Sequence, residues 1–351
     1  MVKFLPSIKW LILGVSVTLL VVACHGKDIK TSKTNSVDCR TVRHDVGQSE
    51  ICDRAEKIVA LRPYCLDLLL SLNRQPAGYG EVFSIHNGAR FNQPREQIPY
   101  LGTRVTTNPV NLGTGDEPSL EKLVQLKPDL IIGEAGGTEN IYPILSDIAP
   151  TLLWEQRTKQ GKWKKDIRQL AKALGEEQQA ESAIAQYESK LANARQALAS
   201  VVETHPQVLL LAANRLAEGF FVINHNTFLS HLFKELGFIL VTPANSEPDA
   251  LSFPMSLETL PEVGKQADLI FVLGYDLSPK TESLDQILNE QTSVLKKEWQ
   301  DNPITQSLNA TQENRVYFTT YYLWNGLNGP IGAQLILEEL RQMLSNFPKT
   351  P

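Results

Sequence analysis

Arg104 and Arg215 stand at the ends of strand-like runs, and the segment "TYYLWNG" sets Tyr321, Tyr322 and Trp324 directly after another. A guanidinium presents a planar fork of donors to oxygen acceptors, and an aromatic face packs against aryl or alkyl surface. Side chains of these types suit contact with a ligand's oxygen acceptors and apolar surface. They equally suit surface ion pairs and packing beneath a loop, and residue type alone does not separate the two. Tyr64 and Phe253 occupy further strand ends, the side on which open α/β sheets collect ligands.

A second pair of residues is marked by repetition. "SLEKLVQLKPDLII" (residues 119–132) and "SLETLPEVGKQADLIF" (256–271) both open on Ser-Leu-Glu, space leucines as a helix does, and place an aspartate, Asp129 or Asp268, before an apolar run. Each reads as helix, turn and buried strand. Ser119 and Ser256 are N-cap residue types, which puts Glu121 and Glu258 in the first helical turn. A carboxylate there complements the helix dipole by about 0.3 to 1 kcal/mol. The repeat marks equivalent positions in two similar lobes.

Signatures of catalysis do not occur in the sequence. Gly113 and Gly115 begin a Gly-x-Gly, but Pro118 takes the place of the third glycine, and neither a phosphate-binding loop nor a nucleophile elbow is written anywhere. Of the six histidines only His225 and His231 are close in sequence, at a spacing that fits neither one helix face nor a compact zinc site. A metal held by the protein itself is therefore not expected. The net charge of -5 leaves no basic footprint for nucleic acid.

These residues need a scaffold, and 351 residues with 42% hydrophobic content leave room for two domains with sizeable cores. Lys3 and Lys9 precede a mostly apolar run, Trp10 to Ala23, that ends in "LVVAC" at Cys24. The run is shorter than the ~20 residues of a spanning helix, so residues 1–23 read as a lipoprotein signal peptide with Cys24 as the acylated residue. An uncleaved anchor or a plain secretory peptide is the alternative. Residues 24–38 read as a flexible tether. In "CRTVRHDVGQSEIC", Val42, His44 and Val46 alternate before a turn at Gly47, so a hairpin there brings Cys39 and Cys52 together as a disulfide and leaves Cys65 a buried thiol. Two reduced cysteines in an edge hairpin are the alternative.

From 39 to 160, strand-like runs ("KIVAL", "PAGYG", "IPYLG", "DLIIG", "PTLLW") alternate with helical patterns, as in a parallel or mostly parallel sheet covered by helices. Residues 161–205 hold "WKKDIRQLAKAL" and, past Gly175, an Ala- and Glu-rich run expected to form a helix of roughly 40 Å. Its thin stripe of Ile184, Tyr187, Leu191, Ala194 and Leu198 suits a helix lying across two bodies. Alternation resumes over 206–351. The fold class is α/β: two Rossmann-like lobes joined by a single long helix, with an N-terminal β-hairpin.

An exported chain with this hairpin, two α/β lobes, one long helix and "EPSLEKLVQLKPDLII" resembles the periplasmic substrate-binding proteins of iron-complex and cobalamin ABC importers, the ferric-siderophore-binding group. The similarity runs from "CRTVRHDVG" through "DIRQLAKALG" to "GLNGPIGAQLILEEL", and "DRAEK" (53–57) departs from the prolines usual before the first strand. The resemblance implies a class III periplasmic-binding-protein-like fold, no enzymatic activity and no cofactor. The implied ligand is a ferric siderophore, its iron wrapped by the chelator, in the interlobe cleft. Cobalamin or haem is the alternative ligand, and an enzyme acting on the bound complex a more distant reading. Together with the strand-end reading it implies ligand contacts from Tyr64, Arg104, Arg215, Phe253, Tyr322 and Trp324. It further implies that Glu121 and Glu258 meet arginines of a permease dimer with its ATPase subunits. The protein would be a monomer, lipid-anchored through Cys24 in the bacterial periplasm or at the cell surface.

Overall fold

A computed structural model describes residues 39–82, 90–155, 157–244, 247, 249–275, 283–345 and 347; the leader, the tether and Cys24 lie outside them. The chain opens with the hairpin β1 (Cys39–Arg43) and β2 (Gln48–Cys52), in which Cys39 lies opposite Cys52 and the two are disulfide-bonded. The next five strands, β3 (Ile58–Ala60), β4 (Pro76–Glu81), β5 (Val110–Thr114), β6 (Leu130–Glu134) and β7 (Thr151–Trp154), form a parallel sheet in the order β5-β4-β3-β6-β7. A second sheet, ordered β11-β9-β8-β12-β13, holds β8 (Gln207–Ala213), β9 (Phe220–Ile223), β11 (Ser252–Met255), β12 (Leu269–Gly274) and β13 (Val316–Thr320), with β10 (Ile239–Leu240) beside β8. Here β9 runs antiparallel to β8, and β11 antiparallel to β9, so the second lobe is mixed where the first is parallel.

The central strands are apolar at successive positions because both sheet faces are covered. Ile58 and Ala60 face one core and Val59 faces the other; Leu269, Phe271 and Leu273 likewise part from Ile270 and Val272. The cluster on the inner faces is continuous through both lobes and the linking helices. The two lobes therefore share one core.

The repeated phrase now has a structural meaning. In the first copy the helix Leu120–Leu126 leads to β6; in the second, Leu260–Gly264 leads to β12. Each copy's aspartate locks the start of the neighbouring strand by the same reciprocal pair of bonds. The Asp129 amide donates to the Lys57 carbonyl (2.9 Å) and its carboxylate accepts from the Lys57 amide (2.7 Å); the Asp268 amide donates to Gln207 (2.8 Å) and its carboxylate accepts from the Gln207 amide (2.9 Å). The caps differ, however. Ser119 accepts from the Lys122 amide as expected, whereas the Ser256 side chain caps no amide and bonds the Glu258 carboxylate instead. A 3₁₀ turn, Leu257–Thr259, precedes that helix instead, and Glu258 sits in it.

The linker is two helices, Lys162–Leu174 and Glu177–Thr204, the latter of 28 residues or about 42 Å. Gly175 parts them at φ +70°, a left-handed conformation that favours glycine. Ile184, Tyr187, Ala194 and Leu198 are buried along the expected stripe, and Leu191 is partly so. The long helix does not tie the lobes alone. The last helix, Pro330–Met343, follows β13 yet packs against both the long helix and Pro63–Ser71 of the first lobe.

One reading of the first lobe does not hold. "IPYLG" is a turn entering a 3₁₀ segment, Gly102–Arg104, broken by Pro99 and by Tyr100 at φ 57°, and the edge strand β5 lies in "VNLGT", whose two large apolar residues gave too weak a signal. The hairpin covers the opposite edge. Asp45 accepts from the Glu155 amide (3.0 Å) and pairs with Lys162 (2.7 Å) and Lys165 (3.0 Å), while Ser49 donates to the Thr151 carbonyl (2.6 Å). Burial pushes the Asp45 carboxyl up, but these partners outweigh it and hold it at about 2. With a sequence separation of 13 between Cys39 and Cys52, the double variant Cys39→Ser/Cys52→Ser is expected to lose about 3 kcal/mol of stability, read by urea denaturation.

Candidate functional site

The carboxyl ends of β8, β12 and β13 converge on a cavity of about 430 Å³. From the second lobe, Ala212, Phe221, Ile223, Leu251 and Ser252 give it an apolar floor, Phe221 and Leu251 being 40% and 38% exposed. Tyr275, directly after β12, and Tyr321, directly after β13, stand edge to face at 5.5 Å. Their hydroxyls make no hydrogen bond among the described residues. Gly274 lets this end of β12 lie against the helix Leu284–Asp301, where a side chain would strike the Gln291 carbonyl.

The far wall comes from the segment after β7, which leaves the first lobe and pairs with the second. The Phe228 amide donates to the Thr158 carbonyl (2.6 Å) and the Gln160 amide to the Asn226 carbonyl (3.2 Å). Arg157 and Thr158 thereby line the cavity. One nitrogen of Arg157 donates to Glu134, at the end of β6, at 2.8 Å, and the other to the Asn325 carbonyl of the second lobe at 3.4 Å. Burial works against the guanidinium's charge, and Glu134 more than offsets it.

Deeper in, the lobes are joined through a buried acid. Glu81 closes β4 and accepts from the Tyr79 hydroxyl (2.6 Å) and from the Tyr322 hydroxyl of the second lobe (2.9 Å). Tyr100 stacks on Tyr322 with ring centres 6.0 Å apart and reaches the Thr320 hydroxyl at 2.7 Å. A bulky residue at positive φ is strained, and Tyr100 adopts it at a contact between the lobes. Burial drives the Glu81 carboxyl up to about 7 against the bonds from Tyr79, the Val82 amide and Tyr322. A raised carboxyl adds stability that is full below its unfolded value near 4.5 and is lost as pH rises through about 7. Glu81→Gln is therefore expected to flatten the fall of the melting temperature between pH 5 and 8, a change of up to about 3 kcal/mol.

None of the six residues expected to touch ligand lines this cavity. Tyr64 is fully buried and donates to Asp166 at 2.8 Å, so it belongs to the core. Trp324 is also fully buried, its indole N–H on Glu339 (2.7 Å) and its ring stacked on Phe271 at 5.4 Å. Tyr322 turns inward to Glu81, because the π-helical turn Tyr322–Gly326 rotates these two aromatics into the core and leaves Tyr321 facing the cavity. Phe253 points to the opposite face of β11 from Ser252, as strand alternation requires. Arg215 pairs with Glu298 (2.9 Å) over a separate surface hollow. Arg104 lines another cavity, of about 440 Å³, among the helices Pro63–Ser71, Glu177–Thr204 and Pro330–Met343. Glu121 and Glu258 are both exposed. Of the cavity residues, Arg157 and Tyr275 carry no motif of their own in the sequence, although the strand-end rule points to them once "PTLLW" and "DLIFVLG" are followed outward.

The only cluster among the described residues with metal-ligand spacing is Cys39, Glu50 and Cys52, whose two sulfurs are bonded to each other. A family model described as periplasmic binding protein matches residues 56–323. The chain is 26% identical over 333 residues to a putative ABC transporter substrate-binding lipoprotein, YhfQ, of Bacillus subtilis, covering 93% of this chain and 94% of that protein. It is 27% identical over 320 residues to the Fe(3+)-citrate-binding protein YfmC of the same organism, covering 90% and 89%. Its fold matches the crystal structure of Staphylococcus aureus SirA complexed with staphyloferrin B, with a TM-score of 0.68 at 23% identity, over 87% of this chain and 98% of that one. It also matches FeuA from Bacillus subtilis complexed with ferri-bacillibactin, with a TM-score of 0.65 at 20% identity, over 88% and 99%.

Proposed function

The chain belongs to the periplasmic binding protein family, and from that premise we propose that it captures a ferric siderophore between its lobes and delivers it to the permease of an ABC importer. The observation that carries this reading is the cavity itself. It is an apolar-floored space at strand carboxyl ends, where Arg157 and the hydroxyls of Tyr275 and Tyr321 converge from both lobes. Donors of that kind meet the oxygen shell of a chelate, and Phe221 and Leu251 its apolar arms. The iron stays wrapped by its chelator, the chain acts by binding alone, and the contact residues are those of the cavity.

Delivery requires an orientation on the permease. Glu121 and Glu258 serve as the docking charges, one per lobe, because equivalent exposed carboxylates can engage two equivalent permease subunits, steering more than tightening the contact. Residues 1–23 act as the leader, and lipid on Cys24 keeps the lobes at the membrane of a bacterial periplasm or cell surface. Glu121→Ala/Glu258→Ala is expected to leave chelate affinity within about twofold and to cut uptake at least roughly tenfold in a transport assay.

The test of ligand identity is calorimetric titration with ferric siderophores, the same chelators without iron, cobalamin and haem. Saturable, submicromolar binding of a ferric chelate, about 100-fold weaker without iron, supports the reading. Tight binding of cobalamin or haem would replace the ligand and keep the transport role.

A further inference from the structure

Resting on the ligand reading above, we infer that the cavity selects a ferric chelate of zero net charge, the tris-hydroxamate class, over anionic catecholate and citrate chelates. Charge decides the selection. Among the described residues Arg157 is the one cation of the lining, and Glu134 neutralises it at 2.8 Å. Arg62, just past β3, is paired with Asp116, and Glu81 adds a further acid. Arg104 and Arg215 lie over other hollows. Among the described lining residues no surplus of positive charge faces the ligand.

Chelate chemistry turns that count into selectivity. Three singly charged hydroxamates balance Fe(III), whereas three doubly charged catecholates leave a trianion, and ferric citrate is anionic as well. An anion entering a space of paired charges gives up its hydration without a countercharge. A neutral chelate needs only hydrogen bonds to its oxygen shell, and the lining is stocked for that. Tyr275, Tyr321, Thr158 and Ser252 present hydroxyls, and Asn325 an amide, none of them engaged through its side chain among the described residues.

The experiment titrates the full-length chain in mild detergent with a neutral ferric tris-hydroxamate, a ferric tris-catecholate and ferric citrate, at low and high NaCl. The neutral chelate is expected to bind roughly 100-fold more tightly than the trianion, with affinity changing less than about twofold across the salt range. In Glu134→Gln, where Arg157 is uncompensated, affinity for the trianion is expected to rise roughly tenfold and the selectivity to narrow. An anionic ferric chelate that binds wild type as tightly as the neutral one overturns the charge inference and leaves the siderophore reading standing. Binding of none of the three overturns both.

Discussion

Arg157→Met is expected to weaken binding of a ferric chelate by roughly 10- to 100-fold, the worth of a charge-assisted hydrogen bond to an oxygen acceptor. The methionine keeps the length and much of the volume of the stem, so the cavity retains its shape. The substitution also strips Glu134 of its partner, and that side chain is only 11% exposed. An unpaired buried carboxylate destabilises by itself, so a drop in melting temperature accompanies the loss of binding. Arg157→Met combined with Glu134→Gln separates the two effects. The double variant is expected to regain most of the stability while binding stays weak, because the neutral amide tolerates the missing guanidinium and the ligand does not. Calorimetric affinity alongside thermal melting reads both quantities. Unchanged affinity in the double variant would remove this cavity as the binding site.

The second large effect is on stability. Asp67→Ala is expected to cost about 3 kcal/mol and to lower the melting midpoint by about 5 to 10 °C. The helix Pro330–Met343 has no side-chain cap of its own, since Gly329 holds the N-cap position. Its cap comes from the other lobe: the buried Asp67 carboxylate accepts from the amides of Ile331 (3.0 Å) and Gly332 (2.8 Å). Alanine leaves both amides orphaned away from water. Burial raises the Asp67 carboxyl to about 6, with the two amides and Ser71 pulling the other way. The stability tied to its protonation is full below its unfolded value near 3.8 and lost as pH rises through about 6. Asp67→Asn keeps an acceptor and sheds the charge, so its deficit is expected to be smaller than that of alanine and smallest above pH 7. Equal melting curves for wild type and Asp67→Ala would show that the cap is dispensable.

Much of this architecture is readable from the chain because it rests on local, periodic signals. The Ser-Leu-Glu phrases, the apolar runs and the unbroken helical stretch past Gly175 each report a neighbourhood of a few residues, and the elements follow from them. Asp129 and Asp268 stand at the mouth of their strands and bond to the adjacent one, a role that the repetition marks without naming. The site is less readable because its chemistry depends on direction. Tyr321, Tyr322 and Trp324 are consecutive or nearly so, yet one π-helical turn sends the first to the cavity and the other two to the core. Arg104 and Arg157 are alike as sequence, both arginines a few residues after an apolar run. What distinguishes them is the pairing of residues 158–160 with 226–228, a contact between lobes that no local pattern encodes.

The cap that Asp67 supplies to Gly332 closes a span of 265 positions in the chain. A helix finished near the C-terminus thus completes a contact begun near the N-terminus, and the central core has the same long reach. Contacts this distant in sequence pay their loop-closure entropy before they return any stabilisation, which favours slow folding over fast. A growing chain that has emerged only as far as β12 has neither the last strand of its second sheet nor the helix that Asp67 caps. Until those two elements have been added, the core that spans both lobes stays incomplete and the contact between Asp67 and the last helix unmade.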